Sequence, residues 1–271
     1  VQGTTEFLPV SSSGHLALGE ALLGETEPDL LFDIVLHVGT LIAVCLVYRA
    51  DILSVITGGW AGLSALARGK GLRAALEPEG ARLALLVVIA SIPTAIIGLA
   101  VKKTLPDVTP TIVGGLLVLN AVVLVVSKTE PRNWLAPRTP LSLWRIGIAG
   151  ALAIGVVQGI AVLPGLSRSG LTITVALLIG AVRVDAARFS FLLSIPAILG
   201  ALVLEFDPTL FGDADPDRLL RYGVGALVAG VSGYLCLRLL ISLLRRAAFH
   251  HFAWYCLAVG LSAIVWDSFL R

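Results

Sequence analysis

Two polar stretches contain most of the side chains in this chain that could do chemistry. The first, residues 2–15, reads QGTTEFLPVSSSGH, and the second, residues 158–170, reads QGIAVLPGLSRSG. Each leads from a Gln-Gly pair through a short apolar run to a proline and then to serines and a glycine. This shared order predicts an internal repeat in which each half of the chain supplies one polar loop to a single site.

The second stretch predicts an anion site. Its turn consists of Ser167, Arg168, Ser169 and Gly170, and it follows a Pro-Gly break. Backbone N–H groups at a helix N-terminus, together with serine hydroxyls and a guanidinium, suit phosphate. Because a guanidinium in apolar surroundings needs an anionic partner, we favour a functional role for Arg168.

The first stretch adds an acidic group. Gln2 and Glu6 are spaced i,i+4 and would share one face of a helix that Pro9 ends. A carboxylate beside a phosphate site can hold a divalent cation that neutralises charge. Glu6 could instead be structural and pair with Arg168, but acids inside a membrane are usually functional, and we favour function.

Serine hydroxyls and an imidazole follow Pro9. The turn holds Ser11, Ser12 and Ser13, and His15 opens the next helix. Two mechanisms fit these residue types: Ser12 or a neighbouring serine attacks after activation by His15, or His15 attacks and forms a phosphohistidine. We favour serine.

Other histidines receive structural interpretations. Asp33 and His37 are spaced i,i+4 in an apolar segment, and we interpret them as a structural polar pair with a supporting role left open. His250 and His251 stand beside arginines and are interpreted as interfacial.

The composition places these stretches inside a membrane protein. The 271 residues are 57% hydrophobic and 14% charged, whereas about 25% of the residues of a soluble domain are charged. A net charge of +2 gives no support to nucleic-acid binding. The cysteines stand singly in apolar runs and predict neither disulfides nor a thiolate metal site.

Six apolar segments are long enough to cross a bilayer, which takes about 20 residues of helix. They are residues 31–48, 83–101, 111–127, 187–204, 220–243 and 252–270. We therefore predict an all-α integral membrane protein with six transmembrane helices.

Two further apolar segments, residues 1–23 and 146–182, are interrupted by the polar stretches. Broken backbone at membrane depth is tolerated where protein or water satisfies the freed groups, so we predict two re-entrant helix-loop-helix hairpins. Three spans follow each hairpin. The chain then divides into a first repeat (1–127), a cytoplasmic linker (128–145) and an inverted second repeat (146–271). Because the first polar stretch starts at Gln2, without the apolar helix that should lead into it, we expect further residues before Val1.

The distribution of arginine predicts the orientation in a cell membrane. The loop between the first two spans, the linker and the ends near Arg183 and Arg245 hold most of the arginines, whereas the opposite side holds most of the acids. The positive-inside rule makes the arginine-rich side cytoplasmic. The first hairpin then enters from the outer face, and we expect the site to open there.

The two stretches resemble the signatures of the undecaprenyl-diphosphate phosphatase family, also described as bacitracin-resistance proteins. An (E/Q)xxxE element running into PVSSxGH matches residues 2–15, and PGxSRSG matches residues 164–170. The runs FDIVLHVGTLIAV and AARFSFLLSIPAILGA are also similar to the family. The resemblance therefore covers nearly the whole chain.

The resemblance implies hydrolysis of undecaprenyl diphosphate to undecaprenyl phosphate and inorganic phosphate, which recycles the carrier lipid of cell-envelope polymers. It implies a divalent metal ion, Mg²⁺ or Ca²⁺, with Glu6 and Gln2 as metal or diphosphate contacts. It places the catalytic groups at Glu6, Ser11, Ser12, Ser13, His15 and Arg168, and a diphosphate clamp at Arg168 with its neighbours Ser167, Ser169 and Gly170. Gln2 stands where many members have glutamate, which weakens a two-carboxylate metal site.

A different function also fits the sequence. Broken helices in an inverted repeat are typical of transporters, so a transporter or flippase for an anionic polyprenyl lipid is the alternative. In either case the lipid tail stays in the bilayer, and we expect a lateral opening between spans. A homodimer is compatible with both functions.

Overall fold

The chain is described by a computed structural model that covers residues 1–24, 30–104, 108–128, 146–205 and 216–269. The helices are α1 (Gln2–Thr5), α2 (Ser12–Leu23), α3 (Leu30–Val47), α4 (Arg49–Ala67), α5 (Gly71–Ala75), α6 (Glu79–Thr104), α7 (Pro110–Val126), α8 (Gly147–Ile160), α9 (Arg168–Leu178), α10 (Arg183–Glu205), α11 (Pro216–Arg245) and α12 (Phe252–Phe269), with a 3-10 turn at Phe249–His251. This architecture confirms the all-α membrane class.

All six predicted spans are helices in the structure, namely α3, α6, α7, α10, α11 and α12. Four of them (α6, α10, α11 and α12) are long and apolar enough to cross a membrane, and α3 and α7 are apolar but shorter. Large apolar side chains such as Ile92, Val122 and Val228 are exposed on the outside of the bundle. Such a surface suits contact with lipid.

Each polar stretch contains a break between two short helices. The first lies between α1 and α2, and the second between α8 and α9. Helix α1 ends at Thr5, earlier than the expected end at Pro9. Pro9 has no N–H to donate to the Thr5 carbonyl four residues earlier, so the effect of the proline begins one turn before it. In the turn that follows α1, the carbonyls of Leu8 and Pro9 accept from the side chains of Ser169 and Asn120.

The segment after the first span differs from the sequence-based expectation of a loop. It forms α4 and α5, and α4 is also long and apolar enough to cross a membrane. Its exposed side chains Leu53, Ile56, Trp60 and Leu63 follow helical spacing. The serine, threonine and glycine residues between them lower its hydropathy, which hid the helix in the sequence.

The hairpins pack against the opposite halves of the chain. Helix α1 contacts α11, α8 contacts α6, and the last helices of the two halves, α7 and α12, pack together. The α8–α6 contact is very close: a Cβ atom on Gly155 would lie 2.1 Å from the Ala90 carbonyl oxygen. Thr94 Oγ1 donates to the carbonyls of both residues at 2.9 Å. This packing fixes α8, and with it the second polar stretch.

In this arrangement, a helix of each hairpin packs against a helix of the other half of the chain. The inverted repeat and its boundaries stay a prediction, and most of the linker, residues 129–145, lies outside the described residues.

Candidate active site

The two polar stretches meet through an ion pair. Arg168 Nη2 donates to Glu6 Oε1, and the side chains are 16% and 7% exposed, respectively. An isolated charge at such a position is costly, so each group stabilises the other. The acid predicted in the first stretch and the guanidinium predicted in the second therefore form one unit.

The second carboxylate oxygen of Glu6 contacts a hydroxyl. Glu6 Oε2 accepts from Ser12 Oγ at 2.7 Å and from Gln2 Nε2 at 3.0 Å. The Ser12 hydroxyl proton thus points at a carboxylate, which can take it as the oxygen attacks. The other polar atom of the Gln2 amide, Oε1, is buried and has no hydrogen-bond partner among the described residues.

Two helix N-termini face the same space. Helix α2 begins at Ser12 and α9 begins at Arg168. Ser11 and Ser167 cap them, because each hydroxyl accepts from the backbone N–H three residues later, at 3.2 and 3.1 Å. The other first-turn N–H groups have no partner inside the helix, and both helix dipoles are positive at this end. Arg168 Nη1 is buried and also lacks a partner among the described residues, so the arrangement suits a bound anion.

The backbones of the two turns touch. Ser11 Oγ accepts from the Gly165 N–H at 3.1 Å, and a Cβ atom on Gly14 would lie 2.9 Å from Gly165 Cα. Both contact residues have left-handed backbone, with φ of 68° at Ser11 and 107° at Gly165. Glycine adopts this conformation freely, whereas a serine there is strained and must be held by its surroundings.

Asn120 on α7 is a connecting residue that the sequence analysis missed. It is fully buried, its Nδ2 donates to the Pro9 carbonyl at 2.9 Å, and its Oδ1 accepts from the Ser167 N–H at 3.2 Å. One side chain therefore bonds the backbone of both turns. A lone asparagine in an apolar span is the signal that could have identified it.

The turns open into a cavity of about 460 Å³. Its lining includes the predicted site residues Glu6, Ser11, Ser12, Ser13, Ser167 and Arg168. Apolar side chains of α6, of α10 and of the turn after α8, such as Leu99, Leu202 and Val162, form other parts of its wall. A cavity with charged and apolar parts fits an amphiphile with an anionic headgroup.

Four predicted site residues lie outside this lining. Gln2 Nε2 donates to Glu6, and the Gly170 N–H donates to the capping hydroxyl of Ser167. Ser169 bonds Ser167 at 3.1 Å. The fourth is His15.

Both nitrogens of His15 are engaged away from Ser12. Its Nδ1 donates to the Ser11 carbonyl at 2.8 Å, and the hydroxyl of Tyr255 donates to Nε2, also at 2.8 Å. The structure therefore does not bring His15 to the serine that contacts Glu6, which differs from the expected serine–histidine pair. The partner of Ser12 is a carboxylate.

Other polar side chains also line the cavity, among them His37 from α3 and Gln158 from α8. The expected side-chain pair of Asp33 and His37 is not the contact observed; His37 Nδ1 donates instead to the backbone carbonyl of Asp33 at 2.8 Å. Gln158 was visible as the counterpart of Gln2 in the second stretch. No pattern in the sequence distinguished a cavity-facing His37 from a structural one.

Comparison with known proteins gives consistent matches. The sequence model of a family described as bacitracin resistance protein BacA matches residues 1–262. The chain is 42% identical to an undecaprenyl-diphosphatase of Desulfosudis oleivorans, over 96% of this chain and 93% of the relative. It is 40% identical to an undecaprenyl-diphosphatase of Desulfatibacillum aliphaticivorans, over 98% and 95% of the two chains.

We expect Asn120→Ala to lower the stability of the protein. The change leaves the Ser167 N–H unpaired and weakens the bonding of the Pro9 carbonyl, and an unpaired buried group costs about 1–3 kcal/mol. The measurement is the free energy of unfolding in detergent micelles. Ser127→Ala is the matched control at the end of the same helix, because among the described residues that hydroxyl bonds only the Leu124 carbonyl. Equal effects of the two changes would contradict the connecting role.

Proposed function

This chain belongs to the bacitracin resistance protein BacA family, and we propose that its cavity hydrolyses undecaprenyl diphosphate to undecaprenyl phosphate and inorganic phosphate. The protein is a membrane phosphatase, and the reaction recycles the carrier lipid used for cell-envelope polymers. The observation that supports this best is the Ser12 hydroxyl bonded to Glu6 beside Arg168 in a partly apolar cavity. The names of the relatives favour hydrolysis over the transporter alternative.

In the proposed first step, Ser12 Oγ attacks the outer phosphorus of the diphosphate. Its proton passes to Glu6 Oε2, 2.7 Å away. The bond between this phosphorus and the bridging oxygen breaks, and undecaprenyl phosphate leaves with the electron pair. The outer phosphoryl group is then a phosphoserine on Ser12.

Arg168 and the two helix N-termini stabilise the charge of this step. Arg168 Nη1 is available for the non-bridging phosphate oxygens, while Nη2 orients Glu6. First-turn N–H groups of α2 and α9 add fixed dipoles that need no reorganisation. Ser13 and Ser167 lie in the cavity wall and supply further hydroxyls to the headgroup.

His15 serves as a positioning residue in this proposal. Its Nδ1–H holds the carbonyl of Ser11, whose backbone has an uncommon left-handed conformation. Tyr255 fixes the other side of the ring. Loss of His15 would therefore release Ser11 and misplace the neighbouring Ser12 without removing a proton acceptor from the reaction.

A divalent cation, Mg²⁺ or Ca²⁺, fits this site as a companion of the substrate. Within the part of the chain that the structure describes, no group of three or more His, Cys, Asp or Glu side chains is placed to hold a metal. Glu6 nevertheless offers a carboxylate, and the unpartnered Gln2 Oε1 offers a buried amide oxygen beside it. Mg²⁺ is commonly held by one or two protein oxygens plus substrate phosphates. Once bound, such an ion would neutralise phosphate charge.

The cavity is proposed to open to the outer face of the membrane. Lys102 near the end of α6 and Leu204 near the end of α10 both line the cavity. Each of these helices begins in the arginine-rich side, near Arg82 and Arg183, so its other end faces outward by the positive-inside rule.

Replacement of Ser12 should abolish turnover. We expect Ser12→Ala to lower kcat by at least about 10³-fold, because the nucleophile is lost while the phosphate contacts remain. Ser13→Ala is the comparison variant: Ser13 is exposed, and within the described part of the chain its hydroxyl bonds only that of Ser11, at 3.4 Å. Phosphate release from undecaprenyl diphosphate in detergent measures both. The assignment fails if Ser12→Ala keeps wild-type kcat or if Ser13→Ala is equally inactive.

An added carboxylate should strengthen the metal site. We expect activity to be lost in EDTA and restored by Mg²⁺, and we expect Gln2→Glu to need several-fold less Mg²⁺ for half-maximal activity. Thr4→Glu adds the same charge on the exposed side of α1 and should leave this concentration unchanged. An unchanged Mg²⁺ requirement in Gln2→Glu would argue against Gln2 as a metal contact.

The side of the opening can be tested by labelling. In intact cells, a membrane-impermeant thiol reagent should modify Ser13→Cys but not Leu72→Cys, which lies on α5 and is exposed on the side predicted to be cytoplasmic. The unchanged chain, with its native Cys45, Cys236 and Cys256, gives the background. Modification of Ser13→Cys only after permeabilisation would place the opening on the cytoplasmic side.

A further inference from the structure

A second histidine lies in the catalytic cavity. His37 lines it together with Glu6, Ser12 and Arg168. The imidazole ring and the Glu6 carboxylate therefore border the same space. His15, the histidine of the polar stretch, has both nitrogens bonded and lies outside the lining.

The hydrogen bond of His37 shows which of its two ring nitrogens carries the proton. Nδ1 lies 2.8 Å from the carbonyl of Asp33, which can only accept, so Nδ1 carries a proton. A neutral ring then has its lone pair on Nε2, which has no hydrogen-bond partner among the described residues. This is the arrangement of a proton acceptor.

The packing of α3 holds the ring in place. Two residues further on, Gly39 touches α11, and a Cβ atom there would lie 2.4 Å from the Ala226 carbonyl oxygen. The fully buried Thr40 donates to the carbonyl of His37 at 2.9 Å. The backbone beside His37 therefore has little freedom to move, and the ring stays at the cavity.

The proposed reaction needs a second base. After the first step Glu6 holds the proton that came from Ser12, so the carboxylate cannot accept another. Hydrolysis of the phosphoserine requires that a water molecule lose a proton as it attacks phosphorus. A further group with a free lone pair must lie in the same cavity.

We propose that His37 is this base, an assignment that rests on the function proposed above. The water oxygen forms a bond to phosphorus while the water proton passes to His37 Nε2. The bond between phosphorus and Ser12 Oγ breaks, and Oγ takes back its proton from Glu6. Phosphate leaves, and His37 releases its proton to solvent.

The test follows the two products separately in wild-type protein, His37→Ala and His37→Gln, each purified in detergent. In the variants we expect one equivalent of undecaprenyl phosphate per protein to form rapidly while steady phosphate release falls about 10²–10⁴-fold. Mass spectrometry after an acid quench should find phosphate on Ser12, and added imidazole should restore turnover of His37→Ala. His251→Ala, the same change at an exposed position outside the cavity, should behave as wild type.

The outcomes separate the two proposals. If wild-type protein releases no phosphate, the proposed function itself fails. If wild type is active and the His37 variants keep its rate, or if they lose both products together with no phosphoserine and no response to imidazole, only the role of His37 is overturned. His37→Gln keeps a polar side chain of similar reach, and its melting temperature shows whether the fold is intact.

Discussion

The contact between Glu6 and Arg168 is the constraint on which the rest of the structure depends. The two residues are 162 positions apart, and both are largely withdrawn from solvent. In an apolar bundle, separating the hairpins would leave two unpaired charges, so the pair favours the closed arrangement. The same contact leaves Arg168 Nη1 without a partner among the described residues, and the other carboxylate oxygen accepts from Ser12. In the proposed mechanism, folding and chemistry therefore depend on the same two side chains.

Backbone contacts hold the hairpins in place, which leaves the reactive side chains free. Ser11 and Asn120 bond main-chain groups of both turns, and Gly14 lets the turns approach closely. Because each hairpin packs on helices from the other half of the chain, the site forms only when both halves fold together. His15 contributes to this framework through Ser11.

The sequence predicted the elements of the site better than their connections. The meeting of Glu6 with Arg168 follows from two motifs that share one order of residue types. The contact between His15 and Tyr255 could not be predicted from the sequence. The two residues are 240 positions apart, and helix packing decides whether their rings meet. For the same reason an i,i+4 pattern could not show that His37 faces the cavity. Helix α4 was missed because polar residues between its apolar positions lower the hydropathy.

A double-mutant cycle on the ion pair tests the central claim most directly. The free energies of unfolding of wild type, Glu6→Gln, Arg168→Gln and the double variant would be measured in detergent micelles. If the hairpins meet through these side chains, each single change strands a buried charge, and the double variant should be less destabilised than the sum of the singles by about 1–3 kcal/mol. Additive effects would mean that the two residues do not touch, and the account of the site would be contradicted.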